Sequence, residues 1–224
     1  MNTTRVLFIA ALLVFTAQLG SAQDLSRYRG YALESSLESV VAASGARVDD
    51  VKTLHVRPAK IQQLEWRAPY ASSGAALVDP VRGAVFTFSD DALYQVVVNY
   101  DRDRTAGLTN SELIESLTAL YGEPVLRSAR SRPPTALPDA LVVAQWDSSA
   151  SSLTLLRDTY STEVQLVLLS KALSTRAREA IREAARLDAI EAPRRELEER
   201  KKQVADAAAA RDKVRTTNKA AFRP

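Results

Sequence analysis

The sequence predicts an α+β fold: tandem α-β-β-β units that join into one antiparallel sheet backed by helices, followed by a long C-terminal helix. Three observations predict it. Two short segments place apolar residues at helical spacing and are each followed by a glycine, and the segments after them alternate apolar and polar residues with period two. The aromatic residues then give out, with Tyr160 followed only by Phe222, and a charge-rich helical period takes over. Of 224 residues, 46% are hydrophobic and 25% charged, the composition of a globular chain and of neither a collagen-like nor a disordered one.

The chain opens with a secretory signature over residues 1 to 22. Arg5 precedes an apolar run from Val6 to Ala17, and Gly20-Ser21-Ala22 sets small residues before a predicted cleavage ahead of Gln23. The apolar run is shorter than the roughly 20 residues a membrane span needs, and no later segment is longer, so no transmembrane span is expected once the signal is removed. The protein is expected to be exported, to a bacterial periplasm or the exterior.

Residues 23 to 170 form the predicted body. LESSLESVVAAS (33 to 44) sets Leu33, Leu37, Val40 and Val41 on one helical face, with Gly45 as the stop. VKTLHVR (51 to 57) reads as a strand with Leu54 and Val56 inward and His55 on the exposed face; IQQLEWR (61 to 67) reads as another, with Leu64 and Trp66 sharing a face. GAVFTFS and ALYQVVVNY flank Asp90-Asp91 as a hairpin. Phe86 and Phe88 share one face, and Tyr94, Val96, Val98 and Tyr100 share one face of the second strand.

The order then restarts. Thr109-Asn110-Ser111-Glu112 is a capping box opening a helix with Leu113, Leu117 and Leu120 as its stripe, ended by Gly122 and Pro124. The loop SARSRPPTALP leads to three strand segments: ALVVAQW (140 to 146), SLTLLR (152 to 157) and TEVQLVLLS (162 to 170). The pseudo-repeats span about 28 to 100 and 109 to 170, with Trp66 and Trp146, and Gly45 and Gly122, in equivalent places. A strand trio cannot bury its face with one short helix, so the two units should share a core.

Residues 171 to 224 form a basic helical tail. Leu173, Ala177, Ala180, Ala184, Leu187 and Ile190 recur at helical spacing, and Glu179 to Arg182 and Glu183 to Arg186 set opposite charges one turn apart. Pro193 is expected to kink or break the helix. Beyond it Leu197 and Val204 are sparse apolar positions seven apart, too few for a stable coiled coil and too thin a face for membrane insertion. The body carries 14 Lys and Arg against 18 Asp and Glu, and the tail 15 against 9.

The order of helix and three strands, twice over, resembles the tandem units of beta-lactamase inhibitor proteins and, more loosely, the small outer-membrane assembly lipoproteins. The stretch Tyr31-x-Leu33-x-x-Ser36-Leu37-x-x-Val40, with DPVRGAVFTFSDDALYQVVVNYDRDRTAGLT from Asp79 to Thr109, is similar to uncharacterised secreted bacterial proteins. Those proteins often carry a glycine after the leucine, where this chain has Glu34. The resemblance implies a protein-binding architecture and carries no catalytic motif.

Chemistry is narrowly bounded. With no cysteine, disulfides, thiolate metal sites and cysteine nucleophiles are excluded, and a single histidine, His55, excludes multi-histidine sites. No G-x-S-x-G, phosphate-cradling loop or dinucleotide fingerprint occurs, so no enzyme activity and no cofactor is expected. One metal reading exists. Asp101, Asp103, Thr105, Thr109 and Glu112 stand at oxygen-ligand positions of a twelve-residue calcium loop, although Ala106 replaces the turn glycine and two arginines lie between the acids. The same residues also read as a strand end followed by a capped helix. Asp49-Asp50 and Asp90-Asp91 read as turn residues. Glu65-Trp66 and Trp146-Asp147 resemble the aromatic and acid floor of a sugar site, which makes an envelope-polymer hydrolase an alternative.

The expected function is an exported, non-enzymatic interaction module. Its expected partner is an envelope protein, or an anionic polymer or lipid surface reached through the basic tail. Nucleic acid is not expected, because export removes it from reach and no aromatics interleave the tail's cations.

Overall fold

The period-two segments pair into one antiparallel sheet in a computed structural model that describes residues 24 to 68, 79 to 127 and 139 to 221. The segment expected to be a signal sequence and the SARSRPPTALP loop lie outside the described residues. A strand pair, β1 (Arg27–Tyr28) and β2 (Tyr31–Ala32), precedes helix α1 (Leu37–Ser44), and a 3-10 turn leads to β3 (Val51–His55). Strands β4 (Ile61–Arg67), β5 (Val81–Ser89) and β6 (Ala92–Tyr100) follow. Helices α2 (Arg102–Thr105) and α3 (Asn110–Tyr121) come next, then β7 (Leu126–Arg127), β8 (Ala140–Asp147), β9 (Ser151–Asp158), β10 (Val164–Ser170) and helix α4 (Lys171–Ala221).

The main sheet runs in the order β3-β4-β5-β6-β10-β9-β8-β7, every neighbour antiparallel. Each half is a meander of four strands where the sequence predicts units of three. The additional strand of the second half is the two-residue β7, too short to show a period. The halves meet where Val97 pairs with Val167. A half-turn about that pair exchanges the halves strand for strand, and the register then carries Trp66 onto Trp146: Trp66 pairs with Ala84 and Ala84 with Val98, as Trp146 pairs with Leu153 and Leu153 with Leu168.

One face of the sheet carries the main core. Leu64, Phe86, Phe88, Val96 and Val98 from the first half and Trp146, Leu153, Leu155, Leu166 and Leu168 from the second join Val40 of α1 and Ile114 of α3 in one cluster. Helix α1 begins at Leu37, later than the periodicity predicts, because Ser36 is its cap and accepts from Ser39 N, while Glu34 holds a left-handed φ of 70° that a helix cannot contain. Leu33 still packs on the core from the turn. In α3, Leu113 and Leu117 face the sheet, but Leu120 is 66% exposed and Ile114 is the buried residue.

Two bulges redirect side chains the alternation assigns elsewhere. A register shift at Thr87 and Phe88 adds a residue to β6, so Tyr94 leaves the face of Val96 and Val98 and packs with Ile61 and Ala177 on the opposite one. A shift between Thr53 and His55 does the same at the edge: Leu54 is 48% exposed and His55 partly buried, the reverse of the alternation's prediction.

Helix α4 lies on that opposite face, where Leu173, Ala177 and Ile181 cover Ile61, Tyr94 and Leu169. It runs unbroken through Pro193. A proline removes one i to i-4 bond, but at an exposed position in a helix of 51 residues the flanking turns hold the path. From residue 193 to 221 every position is exposed.

Candidate functional site

The 101 to 112 segment follows β6 directly. Asp101 caps α2, its carboxylate accepting from Asp103 N at 2.9 Å and Arg104 N at 3.2 Å. Thr105 is buried and its hydroxyl donates to Asp101 O at 3.0 Å. Thr109 Oγ1 accepts from Glu112 N at 3.3 Å while Glu112 Oε2 accepts from Thr109 N at 2.7 Å, the reciprocal pair of a capping box. These backbone bonds hold the Glu112 carboxyl below its ordinary range. Arg157 ties the turn to β9, donating to Leu108 O at 2.8 Å and Asn110 Oδ1 at 3.0 Å. The five candidate calcium ligands are therefore divided between α2, with Asp101 as its cap and Asp103 and Thr105 within it, and the capping box of α3, Thr109 with Glu112. Among the described residues no three acidic or histidine side chains converge on one point.

The tryptophan-adjacent acids occupy separate halves of the sheet. Trp146 is fully buried and its Nε1 donates to Gly122 O at 2.6 Å, which anchors the end of α3 to β8. Asp147 pairs with Lys171 Nζ at 2.8 Å, and Glu65 with Lys52 Nζ at 3.1 Å. Strands β4 and β8 are five strand spacings apart, about 24 Å along the sheet. Paired glycosidase carboxylates stand about 5 to 10 Å apart. The two acids cannot act on one bond.

The amino-terminal strand pair carries a cluster that periodicity does not reveal. Arg29 donates through both terminal nitrogens to the Asp79 carboxylate, at 2.6 and 2.8 Å, and its guanidinium lies 5.3 Å from the centre of the Tyr28 ring. These bonds hold the Asp79 carboxyl below its usual range. Tyr28, Tyr100 and Tyr121 gather beside the pair, and burial pushes all three hydroxyls up. The signals in the sequence are Asp79 ahead of Pro80 and the tyrosines themselves, and neither links residues fifty positions apart.

The remaining candidate is the distal half of α4. At 1.5 Å per residue, residues 193 to 221 extend roughly 40 Å from the body. The proximal half is clamped at its end by Arg57, which pairs with Glu191 and, at 4.0 Å, with Asp188. Past that clamp Leu197 is 52% and Val204 66% exposed. At 100° per residue, the sector within about 50° of the line through Leu197 and Val204 holds Arg200, Lys201, Arg211, Arg215 and Lys219, and no acid. The acids Glu196, Glu198, Glu199 and Asp206 fall farther round the helix, while Asp212 stands at the sector's border and pairs with Arg215 at 3.4 Å. Among the described residues no helix is long and apolar enough to cross a membrane.

No protein-family model, curated protein or solved structure matches the chain.

Proposed function

We propose that this chain is an exported, non-catalytic interaction protein in which the sheet body is a rigid mount and the distal half of α4 is the contact element. The partner is an anionic surface of the cell envelope. One observation carries this reading: the exposed sector around Leu197 and Val204 concentrates five cations with Asp212 alone at its border, on a helix stretch that contributes nothing to the body's core. The apolar line is too thin to enter a bilayer, so attraction is electrostatic and screened within about 10 Å at moderate salt. The two meanders are read as tandem copies of one helix-plus-strands unit.

The test is capture from an envelope extract by the mature chain, residues 23 to 224. A variant with Arg200→Gln, Lys201→Gln, Arg211→Gln and Arg215→Gln serves as the comparison. The native chain is expected to retain a partner at low salt and release it as salt rises, and the variant to retain little. Equal capture by both, or capture indifferent to salt, would move the contact surface off the helix.

A further inference from the structure

On the sheet face that carries α4, Arg67, Gly83 and Asn99 form one row across β4, β5 and β6, and Gln165 of β10 continues it. Gly83 leaves the row without a side chain. A Cβ there would stand 2.8 Å from the Trp66 carbonyl oxygen, so only glycine lets the two strands approach this closely. The result is a cavity of about 550 Å³ walled by Glu65, Arg67, Arg82, Val85 and Asn99. That volume is within the range of small-molecule sites.

The half-turn that exchanges the two meanders carries Arg67, Gly83 and Asn99 onto Asp147, Ser152 and Leu169. In the second half the chain closes this place itself: Lys171, opening α4, pairs with Asp147 at 2.8 Å and donates to Ser148 O at 2.6 Å. In the first half the charge is inverted and the chain turns away into α2. Arg67 makes no ion pair or hydrogen bond through its side chain among the described residues. Its neighbours are engaged, Arg82 with Glu163 at 3.2 Å and Glu65 with Lys52 at 3.1 Å. Asn99 Oδ1 accepts from Gln165 Nε2 at 3.0 Å, which leaves the Asn99 amide hydrogens for the cavity. Behind it Gln165 is 4% exposed, and among the described residues its Oε1 accepts no hydrogen bond.

We propose that this cavity binds a small organic carboxylate up to the size of a dipeptide. Arg67 takes the carboxylate through its planar fork and Asn99 donates a further hydrogen bond. One free guanidinium next to the Glu65 carboxylate suits a single negative charge. A phosphate dianion would bring two charges to the one guanidinium that is not already paired.

Proton-nitrogen NMR of the mature chain tests this by titrating acetate, alanyl-alanine, alanyl-alanine amide and inorganic phosphate at constant ionic strength. Saturable shifts at the Gly83 backbone amide and the Asn99 side-chain amide are expected with the two carboxylates and not with the amide. Arg67→Gln, at an exposed position and so without effect on the rest of the spectrum, is expected to weaken binding about tenfold, the size of one charge-assisted hydrogen bond. Absence of saturable shifts at those two residues would overturn the proposal. So would equal affinity in Arg67→Gln, or phosphate binding more tightly than either carboxylate.

Discussion

Asp79 holds the strand pair β1-β2 against the sheet through a single planar fork to Arg29. Hydrogen bonds from Arg29, opposed by partial burial, leave its carboxyl titrating below the ordinary range, so the fork's contribution has a definite sign with pH. A carboxyl whose folded value is depressed adds stability above its unfolded value of about 3.9, and loses that contribution as pH falls through the folded value. Both partners are nearly half exposed, which keeps the effect small. Asp79→Asn should lower stability by about 1 kcal/mol at neutral pH, the upper end for exposed pairs because the fork is bidentate. The deficit should shrink from about pH 4 downward. Urea unfolding of both proteins at neutral pH and near pH 3 measures it, and a deficit that stays constant in acid would assign the loss to packing instead.

Helix α3 shows which parts of an element are local and which are not. Its cap is local: threonine and glutamate three apart satisfy each other's orphan groups wherever the helix lies, and the predicted box is the observed one. Thr109→Ala should cost about 1 kcal/mol. The stripe is not local, because the angle at which the helix meets the sheet decides whether Ile114 or Leu120 is covered. Ile114→Ala should cost about 2 to 5 kcal/mol, whereas Leu120→Ala should stay within about 0.5 kcal/mol. Chemical unfolding of the three variants ranks them, and equal losses at 114 and 120 would contradict the packing. Strands divide in the same way. The Asp90-Asp91 hairpin is legible since both residues tolerate the positive φ the turn requires. The faces of Tyr94 and His55 are not, because one extra residue in a bulge inverts a period of two and leaves no local mark. Of the site candidates, the tail's basic sector is readable from spacing alone. The Gly83 cavity needs the register of three strands before Arg67 and Asn99 share a row.

At the scale of the molecule, charge and burial separate along one helix. The body, residues 23 to 170, has an excess of acids and the tail an excess of bases, and α4 crosses from one regime to the other near Pro193. Up to that point Ala177 and Ala184 are buried and Arg57 grips Glu191; past it, among the described residues to 221, no side chain is covered. A helix without a packed face is marginal in water, and Pro193 removes one of the hydrogen bonds by which the docked turns would stiffen the free ones. Amide hydrogen exchange should therefore fall into two classes within a single helix. Amides between residues 177 and 190 should exchange only as the body opens, and those beyond 197 at rates approaching an unfolded chain. Exchange followed by mass spectrometry at two protein concentrations measures this. Strong protection beyond 197 that grows with concentration would mean that a second copy covers the Leu197 and Val204 line, making the distal helix an assembly element rather than a free arm. Fast exchange that slows only when an anionic partner is added would mean that the helix orders on contact, with the sheet fixing only where that contact begins.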